Sequence, residues 1–114
     1  MTRTEDILDK LGVSRRYDGR DYVSTAVEWV MRDEDYLRDV VKKLYTEIGE
    51  HYQDSVENVI RDIRTVVEVA YRKNRSCLEL MARRKLDARP TPVEFIEIIA
   101  VYQMREGATA AGVH

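Results

Sequence analysis

Internal disulfide cross-links are excluded at once, because the chain holds a single cysteine, Cys77. That count fits a reducing compartment, and the thiol reads as a small buried hydrophobe. Proline (two) and glycine (five) are too sparse in 114 residues for a collagen-like or Gly/Pro-rich disordered chain. The glycines stand scattered at 12, 19, 49, 107 and 112, so no glycine-rich phosphate loop is present. Two histidines, His51 and His114, have no partner at metal-ligand spacing, so no metal and no cofactor is expected. No apolar run reaches the length of a membrane span, and the start MTRTEDILDKLG lacks the apolar core of a signal peptide. A soluble cytoplasmic protein is expected. Asp33 and Asp35 are explained as helix-start residues, and Ser24, Ser55 and Ser76 sit in no nucleophile elbow, so the chain is not expected to be an enzyme.

What is present is helical. Hydrophobic residues make up 44% and charged residues 35% of the sequence, the balance of a soluble all-α domain. The length suits one core, with 1–106 as a single domain and the small-residue stretch 107–114 as a flexible tail. Thr2 or Thr4 can cap a first helix through Leu11, stopped by Gly12. GVSRRYDGR is then a loop. A second helix over 21–31 buries Tyr22, Val23, Ala26, Val27 and Val30, with Trp29 as core or core edge. Asp33 can cap a third with Leu37, Val40, Val41 and Leu44 inward, and a two-turn helix over 45–52 with Thr46 as cap follows. The strongest start is Thr91-Pro92-Val93-Glu94, a cap, a first-position proline and a closing glutamate. The last helix, from Pro92 to about Arg105, has too many apolar residues for one face, which suits an interface or a helix wedged between others.

The centre of the pattern is 54–74, DSVENVIRDIRTVVEVAYRKN. Val56, Val59, Ile60, Ile63, Val66, Val67 and Ala70 recur at steps of three and four, giving one apolar stripe. Asp54 and Glu57 form a capping-box pattern at its start, and Asn74 suits a left-handed C-cap. Short helix, brief turn and long helix follow the order of a helix-turn-helix. Charge is uneven: residues 1–60 hold nine Lys and Arg against fourteen Asp and Glu, while 61–89 hold nine against four. Such a local positive face binds phosphate or is merely solvated, and spacing alone leaves the two even.

A resemblance favours the first. LDKLGVSRRYDGRDYVSTAVEWVMRD, VVKKLYTEIGEHY, IRDIRTVVEVAYR and RPTPVEFI together are similar to the C-terminal DNA-binding (effector) domain of the sporulation initiation response regulator, over nearly the whole chain. The resemblance implies a compact bundle of about six helices containing a helix-turn-helix, with recognition helix 55–73 in the major groove, and a sequence-specific transcription regulator of sporulation. It implies double-stranded DNA as partner and a homodimer on tandem sites through the last helix. The family's base-reading face falls on Asn58 and Arg61, beside Glu57, Ile60 and Thr65. Asn58 stands where the family presents arginine and Ile60 where it presents an acid, which implies a different DNA box or weaker specificity. Ser55, Arg64, Arg72, Lys73, Arg83, Arg84 and Lys85 are phosphate candidates; Ile99, Ala100 and Gln103 are candidates for dimer contact. The family's effector domain normally follows a receiver, whereas this sequence opens with MTRTEDIL almost at the first helix; it is an excised domain or a stand-alone relative, and a stand-alone protein is expected. The alternative is a non-catalytic interaction module of the same fold that pairs with a full-length regulator.

Overall fold

The computed structural model describes residues 3–112, and side chains over 3–107. The order is α1 (Arg3–Lys10), α2 (Gly19–Arg32), a 3-10 turn (Glu34–Leu37), a π segment (Val40–Tyr45), α3 (Thr46–Tyr52), α4 (Val56–Ala82) and α5 (Pro92–Gly112). The expected all-α bundle is present, and α2, α4 and α5 form its mutually packed centre. On α4 the stripe Val59, Ile63, Val66, Val67 and Ala70 is at most 1% exposed, and Val56 and Ile60 lean on its edge. Each such aliphatic side chain contributes roughly 1.5–3 kcal/mol on burial, Ala less.

The long helix starts and bends differently from its sequence pattern. Its N-cap is Ser55, whose Oγ accepts from Asn58 N at 3.1 Å, not Asp54. Asp54 lies one residue too early, and its carboxylate is taken by Tyr22. Asn74 is not a left-handed C-cap: at φ −149° and ψ 58° it kinks α4 and restarts it, its Oδ1 accepting from Cys77 N at 3.4 Å. Its Nδ2 donates to Lys10 O at 2.8 Å, tying the kink to the end of α1. The left-handed cap comes later, at Arg83 (φ 58°).

At α1, Thr4 is buried inside the helix and accepts from Gln103 Nε2 at 2.7 Å, so it is no cap; Thr2 lies outside the described residues. Gly12 ends the turn at φ +84°. The following loop is closed by Arg20, 4% exposed, which donates to Val13 O (2.6 Å) and Glu5 O (3.0 Å) and pairs with Asp9 (2.8 Å).

Residues 33–45 do not make one helix. Asp33 accepts from Asp35 N, and six residues on Asp39 accepts from Lys42 N, so two successive caps divide the segment. Leu44 and Tyr45 go inward, whereas Val41 stays 55% exposed. Thr46 donates to Val41 O at 2.9 Å instead of capping α3. Trp29 sits at the core edge, stacked on Tyr36 with centroids 5.8 Å apart.

The Thr91–Glu94 box closes in both directions, at 3.2 and 3.3 Å. Helix α5 is wedged against α2 and α4, which explains its apolar residues all round. Its backbone stays helical through Gly112, past the end near Arg105 that the sequence predicts. Of the expected flexible tail, 107–114, the side chains of 108–112 and all of residues 113–114 lie outside the described residues.

Gly19 is where α2 meets α4 most closely: a Cβ there would lie 2.1 Å from Asp62 O, a backbone atom that cannot swing away. Gly19→Ala is expected to cost about 1–3 kcal/mol in a urea unfolding titration. An unchanged midpoint would contradict this packing.

Candidate nucleic-acid interface

Helix α3 enters the interface through a three-residue turn. Gln53 adopts the left-handed conformation (φ 57°, ψ 47°), and Asp54 N donates back to Gly49 O at 2.8 Å. A Cβ on Gly49 would stand 2.6 Å from Asp54 O, so the turn can close this tightly only over glycine. Asp54 then ties the turn to the scaffold. One carboxylate oxygen accepts from Tyr22 of α2 at 2.6 Å; the other accepts from Ser55 N (2.8 Å) and Asn58 Nδ2 (2.9 Å). These bonds, Tyr22's first and Asn58's next, hold the Asp54 carboxyl below the usual range, and Asp54 in turn pushes the Tyr22 phenol up.

The start of α4 is thereby fixed with its polar edge outward. Glu57, Arg61, Arg64 and Thr65 are exposed and Asn58 is half-buried. Arg61 leans on Asp62 at 3.2 Å, an exposed contact of little strength. Arg64 has no carboxylate partner among the described residues. Thr65 donates its hydroxyl proton to Arg61 O at 3.2 Å, which leaves only its oxygen as an acceptor for a ligand. Asn58 spends one amide hydrogen on Asp54 and keeps its Oδ1 and second hydrogen. Ser55 is occupied as the cap. Ile60 packs against the core, as its periodicity predicts.

The remaining cations fall into separate places. Arg72 and Lys73 lie at the end of the first section of α4, with the Lys73 stem against Gly12. Arg83 and Arg84 lie beyond the kink; along a straight helix Arg83 would stand roughly 33 Å from Arg61, an upper bound for a bent one. Arg84 pairs with Glu94 at 3.4 Å. Arg84 lines a concavity with Met81, Glu94 and Glu97, whereas the one beside Arg61 and Arg64 includes none of Arg83, Arg84 and Lys85. The loop after them turns back along α4, held by Glu79 accepting from Leu86 N (2.7 Å) and by Tyr71 donating to Leu86 O (2.9 Å). Arg89 arrives beside Glu68, 3.3 Å away. It lines a cleft of about 500 Å³ with Arg61, Arg64 and Thr65. No local motif marks Arg89 for this position; the Glu79 and Tyr71 contacts place it there.

The dimer candidates are elsewhere. Ile99 and Ala100 are fully buried and Gln103 is 6% exposed, spending its amide on Thr4. In the single chain they lie inside the bundle. Among the described residues no group of His, Cys, Asp and Glu can hold a metal, and no helix is long and apolar enough to cross a membrane.

The site is thus a short helix, a glycine-tightened turn and a long helix that shows amide and guanidinium groups outward. The chain belongs to the family described as sporulation initiation factor Spo0A, C terminal, which it matches over residues 4–102. The family is a DNA-binding one, in agreement with the resemblance read from the sequence.

Because Asp54 is more acidic folded than unfolded, its stabilising effect is complete above the unfolded pKa of about 3.9 and is lost as pH falls through the lower folded value. Urea midpoints should therefore drop more steeply below pH 4 in the wild type than in Asp54→Asn. Parallel acid limbs would show that Asp54 does not tie the turn.

Proposed function

We propose that the chain is a cytoplasmic, sequence-specific transcription regulator that lays 55–73 in the major groove of duplex DNA. The observation that carries this reading is Arg64, exposed and without a carboxylate partner, three residues from Arg61 on a helix anchored by its buried stripe. Two guanidinium groups at that spacing face the same way. Each can pair bidentately with a guanine edge, and Asn58 can pair with adenine, contacts worth roughly 1–3 kcal/mol of discrimination apiece. Arg64 accordingly moves from phosphate candidate to base reader. Glu57 stands beside them as an acceptor for cytosine, and Arg89 reaches the same cleft from the loop side.

Pairing of two copies on tandem sites belongs to this reading. Since Ile99, Ala100 and Gln103 are inside, a second copy would meet the outer side of α5, where Glu97 is exposed and Val101 half-buried. The interaction-module alternative loses the same three side chains to the core.

Sequence selection from a random duplex pool tests the assignment. Arg61→Ala and Arg64→Ala should each relax preference at one base position by about 1–3 kcal/mol, at different positions. Wild-type affinity should fall as salt rises. Undetectable binding at low salt, or binding indifferent to salt, would overturn the proposal.

A further inference from the structure

Beside the reading edge lies a second basic surface that the recognition helix does not supply alone. The loop 14–18 is ordered by its own bonds: Ser14 Oγ accepts from Arg16 N at 3.2 Å, and Tyr17 N donates to Ser14 O at 3.3 Å. Its end is locked to α4 by the close approach of Gly19 to Asp62 O. Arg16, Tyr17 and Asp18 consequently face Asp62 and Thr65 across a concavity of about 220 Å³. From the other side the Lys73 stem lies over Gly12, at the start of the same loop.

Asp18 and Asp62 also line this concavity, Asp62 paired with Arg61, so an anion is suited not to its floor but to the side where Arg16 and Tyr17 meet Arg72 and Lys73. Arg16 is exposed, its guanidinium 5.2 Å over the Tyr17 ring, and its Nη2 donates to the Tyr17 hydroxyl at 3.4 Å. The phenol receives that bond and keeps its own proton for another acceptor. Arg16's hydrogen bond, with the charges of Lys73 and Arg72 behind it, holds the Tyr17 phenol below its usual range, which makes it a stronger donor. Arg16, Arg72 and Lys73 have no carboxylate partner among the described residues. Arg72 lies seven residues beyond Thr65, roughly 10 Å along the helix, so an occupant of this surface is adjacent to whatever the reading edge touches.

We propose that loop 14–18, through Arg16 and Tyr17 and together with Arg72 and Lys73, is a second DNA-contacting element that grips the sugar–phosphate backbone flanking the recognition helix. The inference rests on the major-groove reading above and adds to it a contact from another part of the chain. Arg16 would donate to a phosphate oxygen and Tyr17 would donate its hydroxyl to the same phosphate, fixing the depth of the helix without reading a base.

The test measures affinity of the whole chain for a selected duplex and for an unrelated one, over a range of salt, with Arg16→Ala, Tyr17→Phe and Arg61→Ala. Arg16→Ala should weaken both duplexes several-fold and reduce the salt slope by about 0.9. Tyr17→Phe keeps the ring packing and should weaken both duplexes with the slope unchanged. Arg61→Ala should affect the selected duplex much more than the unrelated one. If both loop variants bind like wild type at every salt while Arg61→Ala still loses discrimination, the loop proposal is wrong and the major-groove reading stands. If the wild type binds neither duplex, both are wrong. Thermal melts matching wild type confirm that the loop variants are folded.

Discussion

Burial of one stripe of α4 is the constraint on which the rest depends. With Val59, Ile63, Val66 and Val67 sealed against α2 and α5, the helix cannot rotate without exposing aliphatic surface. Its opposite edge is therefore fixed in direction, and Arg61 and Arg64 face outward as a consequence of what lies inward. Two glycines permit this arrangement by absence. Gly19 lets α2 approach the α4 backbone, and Gly49 lets the turn close under Asp54.

Polar ties then set the ends. Asp54 joins α2, the turn and the first turn of α4 through Tyr22, Ser55 and Asn58. Arg20 satisfies carbonyls at α1 and pins the loop that leads to α2. Asn74 links the kink to α1. A buried, hydrogen-bonded cation such as Arg20 is held because the alternative is an unpaired buried charge. The same ties that close the fold therefore hold the outer edge of α4 and the 14–18 loop next to each other.

Local signals were the legible ones. The apolar stripe of α4, the Thr91–Glu94 box and the short helix before the turn all depend on residues within a few positions of one another. Choices between neighbouring candidates were not legible, since distant partners decide them. Asp54 and Ser55 are both good caps, and the hydroxyl of Tyr22, 32 residues away, takes Asp54. Asn74 can end a helix or start one, and the backbone of Lys10 favours the second. Helix α5 shows the same limit: apolar residues all round suit an interface or a wedge, and only the packing of α2 and α4 decides that Ile99 and Ala100 are core. For the site, Arg61 and Arg64 were visible as exposed arginines of a helix. Arg89 was visible only as the end of a basic run, and Arg16 not at all, because loops folded back by tertiary contacts bring them in.

On the proposed reading the first part of α4, up to Thr65, enters the DNA groove, held there by a buried face. Amide-resolved NMR titration of the chain with its selected duplex checks this. The largest shifts, and contacts to base protons, should fall on 55–65, with 75–82 and the inner residues of α5 unmoved. Shifts concentrated on 75–82 or on α5, with 55–65 unaffected, would contradict it.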